Sequence, residues 1–281
     1  MMKIYLIPNL SKSAARKTAV HVMEELAQLG AEIFMDESVR DELKAEHAIW
    51  MDERKALSEC DVIVTIGGDG TILHAARKAM EAGKPIMGIN RGRMGFLATA
   101  ESGEHEKLER LVSGDWKVDE RTTLAVRTSG RSFFEVFPLN DVVLSKKGVG
   151  QTVDVRIYCD GTLVNEYRGD GVVVATPTGS TAYSLSAGGP VLDARISGLV
   201  VTPICAHSMH SPPMVFSAQR KLLIRVVSSQ EGAVLCCDGT EGPTVYSDET
   251  VEVTLGQRTI SLVSFDEAEQ FRAIDKKLKG R

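Results

Sequence analysis

The stretch DVIVTIGGDGTILHAARKAM, residues 61–80, decides the fold. Its first six residues are almost continuously apolar and β-branched after Asp61, the composition of a strand covered on both faces. Residues 71–80 then carry helix formers, and Gly83 supplies a stop. A buried strand that passes through glycines straight into a helix is half of a parallel βαβ unit. The flanking sequence repeats that alternation. Residues 3–7 (KIYLI) predict a strand, and residues 13–29 predict a helix with Val22, Leu26 and Leu29 at helical spacing before Gly30. Residues 31–35 predict a second strand, 42–58 a polar helix or excursion, 85–89 (PIMGI) another strand and 104–112 a further helix. The first hundred residues therefore predict a parallel α/β nucleotide-binding domain.

Beyond residue 100 the periodicity changes to two, as in Val153-Asp154-Val155-Arg156-Ile157 and Val251-Glu252-Val253-Thr254-Leu255. Such alternation predicts strands with one wet face. Asp160-Gly161, between two of them, suits a type I′ hairpin turn. Residues 101–265 thus predict a β-rich, sandwich-like domain, and residues 266–281 a C-terminal helix packing back. No repeat of fixed period and no low-complexity run is present.

The 281 residues are 43% hydrophobic and 25% charged, which supplies a core and excludes a disordered chain. Lys and Arg total 33 against 38 Asp and Glu, a net charge of -5 that lacks the footprint of a nucleic-acid binder. The five cysteines show no CxxC spacing, so neither a disulfide framework nor a zinc site is expected. The N-terminal apolar run ends at Pro8, and no stretch reaches the length of a membrane span. A cytoplasmic protein without membrane partners is the expectation.

The chemistry concentrates at Gly67-Gly68-Asp69-Gly70-Thr71. At the carboxyl end of a parallel strand, glycines admit a ligand close to the backbone, and the free N–H groups of the next helix favour a phosphate. No Lys-Ser/Thr pair follows, so this is not a Walker loop, and Leu73 occupies the third glycine position of a GxGxxG fingerprint. The same residues also suit a tight strand-to-helix turn capped by Asp69. An anion beside a phosphate needs a task, and two fit: holding Mg²⁺ against the phosphates, or accepting the proton of a hydroxyl that attacks the terminal phosphoryl group. Arg91 and Arg93 in NRGRMGF, residues 90–96, are candidate counter-charges, or a solvated turn.

A second dense stretch runs through RGDG at 168–171 and an apolar strand to TPTGSTAYSLSAGGP, residues 176–190. Hydroxyls and bare backbone beside one aromatic suit a nucleoside, with Tyr183 able to stack on a base and Asp170 able to bond ribose or ring groups. Taken alone, the stretch also reads as a loop.

Taken together these motifs resemble the NAD kinase family in its bacterial form. The likeness is carried by GGDGT at 67–71, NRGRMGF at 90–96, LND at 139–141 and RGDGVVVATPTGSTAYSLSAGGP at 168–190. It implies transfer of a phosphoryl group from ATP, with Mg²⁺ or another divalent cation, to the 2′-hydroxyl of the adenosine ribose of NAD. It also implies an α/β domain, a β-rich domain and a dinucleotide cleft. By the resemblance, Asp69 is the proton acceptor, Gly67 and Gly68 cradle phosphates, and Gly70, Thr71 and His74 lie by the dinucleotide. Asn90 and Phe96 flank them. Asn140 and Asp141 match the pair at the adenosine, and Arg168 and Asp170 match the nicotinamide side. Thr178, Thr181, Ala182 and Tyr183 match the segment around adenine and ribose, as do Ser184, Leu185 and Ser186. Met94 stands where many members have Leu, and Thr240 stands where they often have Gln. A homodimer or homotetramer is implied as well.

Other constellations are weaker. His207 and His210 lack partners at zinc-site spacing, Cys236-Cys237 read as strand residues, and Ser180 and Ser184 have no assignable His-Asp pair. A lipid or sphingoid kinase sharing the glycine loop, and a dinucleotide sensor without turnover, are the competing readings.

Overall fold

The computed structural model describes residues 1–11, 13–43, 45–90, 95–130, 133–208, 211–226 and 231–278. The chain divides into two compact units, residues 1–120 with 260–281, and residues 121–259. The first unit contains β1 (Lys3–Pro8), α1 (Ser13–Gln28), β2 (Glu32–Asp36), β3 (Ala48–Met51), α2 (Glu53–Glu59), β4 (Val62–Gly67), α3 (Asp69–Ala82), β5 (Ile86–Asn90), β6 (Ala100–Glu101) and α4 (His105–Ser113). Its strands pair in parallel in the order β5, β4, β1, β2, β3. Every residue of β5 is buried, as are the first five of β4, which explains their unbroken apolar run.

Helix α1 lays Ala19, Val22, Met23 and Leu26 on this sheet, and Leu108 and Leu111 of α4 join the same core. That packing moves the boundary expected at residue 100 to residue 120, since α4 buries its apolar side within the first unit. The helix expected over 42–58 is corrected as well. Its apolar segment is β3, paired with β2 through Phe34 and Ile49, and its last residues, from Glu53 onward, belong to α2. The Asp52 carboxylate caps α2, accepting from the N–H of Arg54 at 2.9 Å, so a cap lies where one long helix was expected.

The second unit takes up the chain from β7 (Lys117–Ser129), which starts just before the boundary. It continues through β8 (Phe134–Val136), β9 (Asp141–Lys146), β10 (Val153–Cys159), β11 (Thr162–Gly169), β12 (Gly171–Ala175), α5 (Tyr183–Ser186), β13 (Gly198–Ile204), β14 (Met214–Ser217), β15 (Leu222–Val226), β16 (Ala233–Cys237) and β17 (Thr240–Val245). The next strand, β18 (Thr250–Ser264), has its residues from 260 onward in the first unit. Strands β14, β13, β12, β9, β16 and β17 form one antiparallel sheet in that order. Strands β11, β10, β15 and the start of β18 form antiparallel pairs facing it. The layers share a core that includes Val142, Leu144, Val155, Ile157, Val172 and Val174. The hairpin after β10 turns at Asp160 and Gly161 with φ of 49° and 85°, as a type I′ turn requires.

Leu262 of β18 pairs in parallel with Ile86 of β5, returning the C-terminal segment to the first unit. Helix α6 (Glu269–Leu278) follows and buries Ala273. Among the described residues no helix is long and apolar enough to cross a membrane.

Gly171 has φ of +152°, and a Cβ there would lie 2.2 Å from the Leu144 carbonyl of the neighbouring strand. Gly171→Ala is expected to lower unfolding free energy by about 2–4 kcal/mol, through strain and a backbone clash that neither strand can relieve by a rotamer change. Urea denaturation of the variant checks this.

Candidate functional site

In the first unit, β4 delivers its chain directly into α3, with Gly68 as N-cap and Asp69 as the first helical residue. Gly68 offers no side-chain cap, and the first turn of a helix has N–H groups with no intrahelical acceptor. Its positive end therefore faces outward at the loop. The three glycines of the loop have different reasons to be there. A Cβ on Gly67 would meet Thr71 Oγ1 at 2.1 Å, so that glycine serves packing. Gly68 and Gly70 have open space where a Cβ would go, and neither has positive φ. Among the described residues nothing requires glycine at these two positions, which is what a surface kept bare for a close-lying ligand looks like.

Asp69 is half-buried, and its carboxylate points to the segment that follows β5. The Phe96 N–H donates to Oδ2 at 2.8 Å and the Leu97 N–H donates to Oδ1 at 3.1 Å. A Cβ on Gly95 would fall 1.8 Å from Oδ1, so only glycine lets this loop close on the carboxylate. The loop is anchored beyond, because β6 pairs in parallel with β5, with the Thr99 N–H donating to the Gly88 carbonyl at 3.1 Å. One N–H per oxygen leaves lone-pair capacity on both, so the carboxylate can still receive a hydroxyl. Asn9 Nδ2 donates to Thr71 Oγ1 at 3.5 Å and ties β1 to the same turn.

His74 is exposed on α3, and Phe96 is half-buried. Asn90 ends β5, buried. Arg91, Arg93 and Met94 lie outside the described residues, as does His210.

In the second unit three separate segments are tied together around residues 139–141. The Asp238 carboxylate accepts from the N–H groups of Leu139 at 2.7 Å, Asn140 at 2.7 Å and Asp141 at 3.1 Å. Thr176 Oγ1 donates to the Leu139 carbonyl at 2.6 Å and accepts from the Gly179 N–H at 2.9 Å. A Cβ on Gly179 would stand 2.0 Å from the Asn140 carbonyl, so the turn of residues 178–181 presses against that strand end. Within this frame Asn140 is buried, and among the described residues its Oδ1 has no hydrogen-bond partner. A buried amide oxygen without a donor costs roughly 1–3 kcal/mol, which a ligand N–H or O–H would recover.

Asp141 is also buried, and its carboxyl receives the Tyr183 N–H. Burial, and then the neighbouring Asp238 charge, raise it from 3.8 to about 7. Burial pushes Asp238 up too, while its three N–H donors pull in the opposite direction and favour its charged form.

The hydroxyl-rich stretch is mostly occupied by the protein itself. Ser180 Oγ donates to the Pro177 carbonyl at 2.6 Å and accepts from Leu192 N–H, and Thr181 Oγ1 donates to the Thr178 carbonyl at 3.2 Å. Ser184 is fully buried and bonds Thr202 Oγ1 at 2.8 Å. Buried Thr178 receives Arg121 Nη1 at 3.4 Å. Ala182 precedes α5, the short helix that holds Tyr183, Ser184, Leu185 and Ser186, and Tyr183 is 44% exposed with its ring available for stacking. Arg168 makes a bidentate pair with Asp154, at 2.6 and 2.9 Å, across the β10–β11 ladder. Asp170 pairs with Lys146 at 2.6 Å. Thr240 is exposed at the start of β17.

Sequence reading missed Asp238, Thr176 and Arg121. The Asp-Gly dipeptide at 238–239 signals a turn, and the turn is there with φ of 48° and 75°, but nothing local reports what its carboxylate holds. His207 is exposed in a loop. All five cysteines are free, and no group of three or more His, Cys, Asp and Glu among the described residues could hold a metal.

The Asp141 shift fixes a sign. Between pH 4 and 7 the native state binds more protons at this site than the unfolded chain. Its contribution to stability is therefore full below about 3.8 and is lost as pH rises through about 7. Asp141→Asn is expected to flatten that dependence, removing a slope of at most about 1.4 kcal/mol per pH unit. Denaturation of both proteins from pH 4.5 to 7.5 measures the difference.

Comparison with known proteins agrees with both halves of this geometry. The family model of the ATP-NAD kinase N-terminal domain matches residues 4–116, and that of the ATP-NAD kinase C-terminal domain matches residues 139–265. An NAD kinase of Symbiobacterium thermophilum is 35% identical, with the whole of both chains covered. One of Acetivibrio thermocellus is 34% identical over 89% of this chain and 88% of its own. Among solved structures, yeast NADH kinase complexed with NADH superposes with a TM-score of 0.88 at 25% identity, covering 99% of this chain and 88% of the other. An NAD kinase from Archaeoglobus fulgidus in complex with ATP superposes with a TM-score of 0.75 at 26% identity over the full length of both. With family models over both units and full-length relatives above 30% identity, the chain belongs to the NAD kinase family.

Proposed function

We propose that this protein phosphorylates the 2′-hydroxyl of the adenosine ribose of NAD, with ATP as donor, to give NADP. The observation that carries the assignment of roles is the Asp69 carboxylate, fixed on each oxygen by one backbone N–H and set at the open end of α3 between two glycines with bare flanks. In the reaction a bond forms between the ribose oxygen and the γ-phosphorus, the bond to the β,γ-bridging oxygen breaks, and ADP leaves. The hydroxyl proton passes to Asp69. Phosphoryl transfer depends mainly on positioning and on stabilising charge, so a carboxylate held rigidly suits orienting the hydroxyl and taking its proton late. The α3 N-terminus faces the phosphates and opposes their charge.

Magnesium would be carried on the oxygens of the nucleotide phosphates, which leaves the Asp69 carboxylate to the hydroxyl proton; the described residues offer no cluster of ligating side chains of their own. Bound there, the ion supplies charge neutralisation at the transferring group. For the dinucleotide, the unpartnered Asn140 Oδ1 and the exposed ring of Tyr183 supply an acceptor and a stacking face. The relatives solved with NADH and with ATP support both substrates. A homodimer or homotetramer in the cytoplasm belongs to the same reading on the family resemblance, and sedimentation of the purified protein determines the oligomer.

Two variants test this. Asp69→Asn places an amide donor against one of the two loop N–H groups. It is expected to cost about 1 kcal/mol of stability and to lower NADP formation by roughly 10² to 10⁴, with NAD binding retained. Near-native turnover would remove Asp69 from the proton-accepting role. Gly70→Ala is expected to raise thermal stability by up to about 1 kcal/mol, because the residue is helical with free space around it, while weakening substrate binding. A Gly70→Ala protein of unchanged KM would show that the bare surface serves no ligand.

A further inference from the structure

The loop that holds Asp69 is itself held. Lys277 of α6 places its Nζ 3.8 Å from the ring centroid of Phe96, the residue whose N–H bonds Asp69 Oδ2. Further along the same segment, Lys276 Nζ lies 2.7 Å from Glu101 Oε1. Lys107 of α4 donates to the Thr99 carbonyl and lies 3.5 Å from Glu269 Oε1 of α6. Residues 96–101 are thus fixed at their start, middle and end by cations, two of them from the last ten described residues. Helix α6 buries little apolar surface of its own: Ala273 is buried, whereas Phe271 is 54% exposed. Lys276 and Lys277 both reach the segment that presents N–H groups to the carboxylate, and Glu269 reaches Lys107 of α4.

We propose that α6 positions the phosphoryl-transfer site, with Lys277 acting through Phe96 as a positioning residue for Asp69; this rests on the function proposed above. A cation over a ring face restrains where the ring lies, and one methylene joins that ring to the Cα beside the N–H that must point at Oδ2. Loss of the cation leaves the hydrogen bond possible but frees the loop to move away from it. Misplacement of a reacting group lowers turnover more than ground-state binding.

Lys277 is exposed, so its replacement does not threaten the core. In Lys277→Met, hydrogen exchange at the Phe96 and Leu97 amides is expected to quicken about two- to fivefold, and kcat to fall by a similar factor with KM for NAD and ATP nearly unchanged. Lys277→Arg, which keeps a cation over the ring, is expected to restore both. On a Phe96→Leu background, Lys277→Met should add nothing further. Unchanged exchange at the two amides overturns the inference whether or not the protein makes NADP, and so does faster exchange with unchanged kcat. A wild-type protein that makes no NADP overturns the function proposed above, while the exchange measurement still decides whether Lys277 restrains the loop.

Discussion

The first unit's site depends on two hydrogen bonds from the backbone of Phe96 and Leu97 to the carboxylate of Asp69. They resolve an apparent conflict in the sequence, a negative charge inside a glycine loop whose pattern suits a phosphate. At the first position of α3 the anion sits on the favourable end of the helix dipole, worth about 0.3–1 kcal/mol before any substrate arrives. Its two N–H partners lie to the side, on the segment returning from β5, and Gly68 and Gly70 stay uncovered. One helix end thereby serves a fixed anion and remains open to a second. Gly95 completes the arrangement, since a side chain there would displace the carboxylate.

The second unit solves a different problem by similar means. Residues 139–141 form a strand end, which left to itself would fray. Three N–H groups converge on Asp238, and Thr176 bridges the strand to the turn of residues 178–181. This favours the charged form at Asp238 and leaves Asp141 the more readily protonated one, because three N–H groups support the Asp238 carboxylate against burial and one, from Tyr183, supports that of Asp141. Most of the hydroxyls in TPTGSTAYS belong to the scaffold: they satisfy carbonyls and each other so that the backbone can turn sharply in a buried place. The Asn140 amide oxygen departs from that pattern, having no hydrogen-bond partner among the described residues.

What was legible in the sequence follows from range. The buried strand at 62–67, the glycine turn and the helix after it are encoded in contiguous residues, and so is the hairpin at Asp160-Gly161. The polar helix expected at 42–58 failed because Ala48 to Met51 are four residues only, too short for periodicity to separate strand from helix, and their pairing with β2 is a tertiary fact. Gly95 against Asp69, Asp238 against residues 139–141 and Arg121 against Thr178 join positions far apart in the chain. Each was visible as a residue and none as a contact. Family resemblance supplied roles for Asp69, Asn140 and Asp141, but not the backbone groups that hold them.

The path of the chain adds one consequence. The edge of β5 away from β4 is covered twice, by β6 near its carboxyl end and by Leu262 of β18 opposite Ile86. The first unit therefore leaves part of the edge of a buried strand open until the final segment of the chain arrives, after the whole β-rich unit has been made. An open, apolar, parallel edge is the template on which strands of other chains pair. A pairing of such wide sequence separation is also slow to form, since its loop-closure entropy is spent before the contact rewards it. The segment that closes this edge continues into α6, and α6 carries the two lysines set on residues 96 and 101. Completion of the sheet and restraint of the loop on Asp69 are thus delivered by the same stretch of chain, so a first unit lacking its C-terminal segment lacks both a protected edge and two of the three cations set on residues 96–101.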